Sequence, residues 1–212
     1  MVFVFLDNSN FLYGLHRHRK VSPLCVDVPF LKRLWTGEEA MVRGWVVGSG
    51  MDSPRRDQQY WHRWKAQGFT LLVSEKKQKE VFVDDALHAQ MLYTILTETP
   101  QTMVLVSGDG NTNQGRTSFP LCVRLALQRE WHVVVWAWRE GAHLSWTELA
   151  RLSAPRFRVR YLNDYVSRFV RIELFINFLH PHVVTEEDRL RKVCLQAQHY
   201  AHSVVYPPLH RQ

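Results

Sequence analysis

The stretch Val2-Phe3-Val4-Phe5-Leu6-Asp7-Asn8-Ser9-Asn10 decides how this chain folds. Five apolar residues without interruption, β-branched and aromatic among them, predict a strand covered on both faces, as parallel sheets require. The run ends in an acid followed by small polar residues. Apolar runs of the same kind recur at 41–47, stopped by Gly48-Ser49-Gly50, and at 69–73, 102–106 and 131–138, with a shorter one at 156–161. Between them lie helical stretches. Residues 55–67 read as a helix closed by Gly68. Residues 84–98 carry Leu87, Met91, Leu92 and Ile95 at helical spacing. Residues 119–130 hold Pro120 in the first turn, where proline is tolerated. Alternation of strand and helix with short connections predicts an α/β fold in three layers, a central, mostly parallel sheet with helices on both faces.

The chain has 212 residues, 46% of them hydrophobic, enough for one α/β domain over 1–165 and a C-terminal extension over 166–212. The extension is expected to pack on the main domain or to serve a protein partner or self-association, and to carry no chemistry of its own. No apolar run approaches the roughly 20 residues that span a bilayer, so no membrane association is expected. Residues 2–6 are too short for a secretion signal, and an intracellular location is expected. Cys25, Cys122 and Cys194 are odd in number and widely spaced, which fits a reducing compartment without a disulfide framework. The net charge is +7, which favours an anionic polymer as partner.

Three acidic places should converge. Asp7 closes the first strand, Asp84-Asp85 open a helix, and Asp109 sits in Ser107-Gly108-Asp109-Gly110-Asn111 after another strand. The carboxyl ends of strands in such a sheet are where ligands bind. Several carboxylates together repel one another unless a cation lies among them. Each acid also has a structural reading, as a cap of the helix that follows. Two glycines around Asp109 let backbone approach a ligand closely. The loop continues through Asn113 to Arg116-Thr117-Ser118, small polar groups and a cation at a helix entry, which suits phosphate. Lys76, Lys77 and Lys79 precede Asp84 in an expected loop and are candidates for substrate contact. Tyr60, Trp61 and Trp64 read as the buried face of their helix rather than as stacking platforms.

Asp7-Asn8-Ser9-Asn10, Val83-Asp84-Asp85-Ala86-Leu87 and Val106-Ser107-Gly108-Asp109-Gly110-Asn111 resemble, in order and spacing, the three motifs of the NYN domain. This is the PIN-like ribonuclease group that includes LabA-like proteins and the Regnase endoribonucleases. The resemblance covers residues 1–165. It implies a metal-dependent ribonuclease that hydrolyses RNA to 5′-phosphate and 3′-hydroxyl ends with Mg²⁺ or Mn²⁺. Asp7, Asp84, Asp85 and Asp109 fall on its acidic positions, with Asp7, Asp84 and Asp109 as metal ligands and Asp85 in an outer role. Asn10 falls on its polar position after the first acid. Asn10, Lys79, Asn111, Asn113, Arg116, Thr117 and Ser118 are then the expected substrate-binding residues. Many relatives carry a further acid where this chain has Asn111 or Asn113, so the ion should be held less tightly. The alternative expectation is therefore a non-catalytic RNA-binding module on the same fold. A DNA-directed nuclease is a third.

Overall fold

The structure is a computed structural model that describes residues 1–19, 21–50, 54–74, 83–112 and 116–171. Lys76, Lys77, Lys79, Asn113 and the extension beyond Arg171 lie outside the described residues. Met1–Val170 form one compact unit.

Six parallel strands make the sheet: β1 (Val2–Asp7), β2 (Met41–Ser49), β3 (Phe69–Ser74), β4 (Thr102–Val106), β5 (His132–Ala137) and β6 (Phe157–Tyr161). Their order is β3-β2-β1-β4-β5-β6, and every pairing is parallel. The helices are α1 (Asn8–Arg19), α2 (Val28–Thr36), α3 (Pro54–Ala66), α4 (Val83–Thr97), α5 (Phe119–Gln128), α6 (Leu144–Ser153) and the single turn α7 (Val166–Phe169).

Pleat alternation divides the core. Phe3 and Phe5, Trp45, Met103 and Leu105, and Val133 and Val135 face one layer of α4, α5 and α6. Leu87, Met91 and Ile95 of α4, at i, i+4 and i+8, meet them. The alternate residues Val4, Leu6, Val46 and Val104 are equally buried on the other face. There α1, α2 and α3 pack with an aromatic layer, in which Trp35 stacks on Trp64 at 5.9 Å between ring centres. The helices change faces because the chain adds β2 and β3 on one side of β1, then crosses back to add β4, and right-handed crossovers turn over when the direction reverses. Trp64, Trp131, Trp136 and Trp146 are fully buried; truncating a buried Trp costs about 3–5 kcal/mol.

The expected strands all form. Four helices lie where sequence patterning marks none: α1, α2, α6 and the single turn α7. Residues Tyr60, Trp61 and Trp64 are buried, and Tyr60 donates its hydroxyl to Asn8 Oδ1 at 2.5 Å, so this helix face is core. Cys25 and Cys122 are buried free thiols. Among the described residues no helix is long and apolar enough to cross a membrane.

Candidate active site at the β1/β4 switch point

The order of strands reverses between β1 and β4, and that is the crevice where open α/β sheets take ligands. Leu6 of β1 is level with Val106 of β4, so Asp7 and Ser107 leave the sheet side by side. The Ser107 hydroxyl donates to Asp7 Oδ2 at 2.9 Å. Asp7 Oδ1 accepts the Asn10 backbone N–H at 3.0 Å, which makes Asp7 the N-cap of α1 as well as the end of β1. Asn10 Oδ1 in turn accepts the Gly108 N–H at 2.8 Å. The Asp109 N–H donates to Ser107 Oγ at 3.2 Å. The ends of β1 and β4 are thus stitched together by the groups that carry the acids.

Asp7 is 5% exposed. Burial pushes its carboxyl up to about 7, and the negative charges of Asp84 and Asp109 push the same way against the hydrogen bonds from Asn10 and Ser107. The helix-cap reading of Asp7 is therefore correct as geometry, yet it does not account for the energetics. An ordinary N-cap aspartate is partly solvated and stays ionised. This one is buried beside two other acids.

Asp84 and Asp85 open α4, with Asp84 exposed and Asp85 half-buried. Asp84 lies close enough to raise the Asp7 carboxyl. Asp85 pairs instead with Arg116 and faces His88 Nδ1 at 3.8 Å. His88 is 2% exposed, and burial holds its imidazole below the usual histidine range. Its Nδ1 lies 3.3 Å from the Thr117 hydroxyl, and Phe119 meets the ring edge-on at 4.4 Å. Buried Nε2 has no hydrogen-bond partner among the described residues. The Arg116-Thr117 segment is thereby fastened to α4.

Asp109 accepts from the Asn111 backbone N–H at 3.0 Å and from its side-chain amide at 2.6 Å, both on Oδ1. Asn111 is exposed at the rim. Ser118 is buried and caps α5, accepting the Leu121 N–H at 3.4 Å. Asp7, Asn10, Ser107 and Asp109 are brought together; Asp85, Arg116, Thr117 and Ser118 form a neighbouring structural set. Among the described residues no group of three or more His, Cys, Asp or Glu is placed to hold a metal ion.

The glycines serve a purpose other than the expected one. A Cβ on Gly108 would meet the Gly141 carbonyl oxygen at 2.5 Å, and one on Gly110 would run into Ser145 and His143. Both lie against the end of the β5–α6 connection and the first turn of α6, where His143 N–H donates to Gly108 O at 3.1 Å and Ser145 Oγ to Gly110 O at 3.0 Å. The close approach is of protein to protein, and it holds the Asp109 loop still.

A cavity of about 560 Å³ opens beside Asp109. Asn10, Tyr13, Gly14 and Arg17 line it from α1 at i, i+3, i+4 and i+7, and Trp138, Glu140 and His143 line it from the segment after β5. None of these except Asn10 stands out in the sequence. The signal was a helical face on α1, which the weak apolar periodicity of that helix conceals.

No family model matches the chain, and a search of curated proteins returns no match.

Proposed function

We propose that the chain is a metal-dependent ribonuclease of the NYN, PIN-like type that works at the β1/β4 crevice. The observation that carries this reading is Asp7: a buried carboxyl at a strand end, held near neutrality by burial and by two neighbouring acids. Perturbed carboxyls in a cleft mark functional sites. Dinucleotide-binding sheets share this strand order, but their first strand-to-helix turn is glycine-rich; here it reads Asp7-Asn8-Ser9-Asn10.

The donors are hard oxygens, which suit Mg²⁺ or Mn²⁺. Mg²⁺ commonly keeps several waters and takes only one or two carboxylates, so a closed three-acid cage is not required. Asp7 and Asp109 would hold the ion, with Asp84 adding charge from α4. When bound, it supplies neutralisation of the phosphate and acidification of a water. The chain's own contribution is positioning. Ser107 holds the Asp7 carboxylate, and Asn10 holds Gly108, so Asp109 stays fixed relative to Asp7.

One observation favours the non-cleaving RNA-binding module. Asn111 puts an amide on the Asp109 oxygen where many members of the family it resembles carry an acid, and this lowers the charge available to an ion.

The deciding experiment is a cleavage assay on labelled RNA and DNA with Mg²⁺, Mn²⁺ or EDTA. Metal-dependent RNA cleavage that disappears in Asp7→Asn supports the ribonuclease. RNA binding without cleavage under any divalent ion assigns the module, and cleavage of DNA alone overturns both.

A further inference from the structure

The cavity beside Asp109 has a volume of about 560 Å³, within the range of about 300–1,000 Å³ typical of ligand pockets. Its floor is built. Trp138 is buried, its Nε1–H donates to Phe11 O at 2.9 Å, and it lies against Gly14, where any Cβ would strike the indole. Its wall is not covered. Tyr13 is 69% exposed. One helical turn on, Arg17 and His18 are exposed, in a last turn that also carries His16 and Arg19. The His18 ring lies 5.6 Å from the Trp138 ring. Asn111 and Asp109 close the end nearest the acids. Glu140 is the opposing charge beside Arg17 and His18, and the Asn163 amide holds it at 3.1 Å from each oxygen.

An exposed aromatic, an amide, an arginine and a histidine around one open cavity are the groups that bind an unpaired nucleotide. The ring accepts a base face, the amide reads a base edge, the guanidinium takes a phosphate and the imidazole offers it a hydrogen bond. A base held in a duplex stack cannot enter such a pocket. We propose that this cavity seats one unpaired nucleotide of single-stranded RNA, its base against Tyr13 and its phosphates on Arg17 and His18, next to the Asp7–Asp109 site. The proposal deepens the ribonuclease reading and rests on it for the identity of the polymer. It makes single-strandedness a property of α1 rather than of the acids.

The test is fluorescence anisotropy in EDTA, with a labelled oligoribonucleotide offered single-stranded and as a duplex. The wild-type chain should prefer the single strand by about tenfold or more. Tyr13→Ala should lose about tenfold of that binding, as expected for one stacking contact, and Tyr13→Phe should restore it. Arg17→Gln should reduce the slope of log K against log salt by about 0.7, the share of one phosphate contact on a single strand. Equal binding of single strand and duplex, or wild-type binding by Tyr13→Ala, overturns the proposal. A parallel cleavage assay in Mn²⁺ separates the two readings. If wild-type and Tyr13→Ala bind and cleave alike, the subsite falls and the ribonuclease stands. If binding depends on Tyr13 but nothing is cleaved, the subsite stands and the ribonuclease falls. If the wild-type chain does not bind single-stranded RNA, both fall.

Discussion

Replacing Asp7 with asparagine should remove activity and add stability, with a pH signature that follows from burial. In the folded chain the Asp7 carboxyl keeps its proton up to about pH 7, against 3.8 as the ordinary value. Between those values the unfolded chain has lost the proton and the folded chain has not, so stability falls as pH rises. The favourable contribution is complete below about pH 4 and is lost as pH passes 7. A shift of about three units corresponds to a loss on the order of 4 kcal/mol by pH 8, and on the order of 2–3 kcal/mol of it falls between pH 5 and pH 8. Asparagine cannot ionise and escapes this loss. Its oxygen can still accept the Asn10 N–H, since asparagine is a good N-cap. Its amide must donate to Ser107 Oγ, which already accepts from Asp109 N–H, and this reduces the absolute gain. Urea denaturation in EDTA at pH 5 and pH 8 reads the difference, because every other titrating group is common to both chains. The gap should move in favour of Asp7→Asn by about 2 kcal/mol over that interval. Added Mn²⁺ should then stabilise the wild-type chain at pH 8 by mass action and leave the variant unmoved. A gap that does not change with pH would refute the account, because Asp7 would then be an ordinary ionised cap.

Asp109→Asn should abolish metal-dependent cleavage and leave RNA binding in EDTA intact or tighter, since it removes a charge that repels phosphate; cleavage at the wild-type rate would assign the activity elsewhere. Asn111→Asp should lower the Mn²⁺ concentration that half-saturates cleavage or thermal stabilisation, because it adds a charge next to Asp109; an unchanged metal titration would show that Asn111 does not limit ion binding. Gly14→Ala should cost about 1–3 kcal/mol through overpacking against Trp138. That is a fall of roughly 3–10 °C in melting temperature for a domain of this size, measured by circular dichroism.

The sheet is legible in the sequence because its signal is local. Val2 to Asp7 are all buried, so every residue of β1 has to be compatible with the core, and an unbroken apolar run results. Helix α1 is not legible for the opposite reason. Only Asn8, Phe11 and Leu15 are buried, and Gly14 interrupts the middle. Its stability comes from the Asp7 cap and from packing on the sheet, neither of which periodicity reports. Helix α2 was readable in principle, with Asp27 as N-cap, a proline in its first turn and Gly37 at its end at a φ of 62°. In the site, the sequence marks the acids but not their partners. Nothing in the spacing of Asp7 and Ser107, 100 residues apart, indicates a hydrogen bond; that requires the β1/β4 register. The loop glycines were legible as close approaches, but what approaches is the segment after β5, which only the fold identifies.

The two readings of the site differ in what they require of Asp7. A module that only binds RNA gains nothing from a buried carboxyl among other acids, because negative charge repels phosphate and destabilises the fold above pH 4. The simplest route to such a module is an amide residue at position 7, whose oxygen can still accept the Asn10 N–H. Asp85 shows what a relieved acid looks like in the same fold: it stands against Arg116. Asp7 has hydrogen bonds from Asn10 and Ser107 and, among the described residues, no such cation. A cation brought by the solvent would supply what the fold withholds. That asymmetry between two acids at one sheet edge, one facing an arginine and one whose ionisation is opposed by burial and by neighbouring acids, weighs toward the ribonuclease over the binding module.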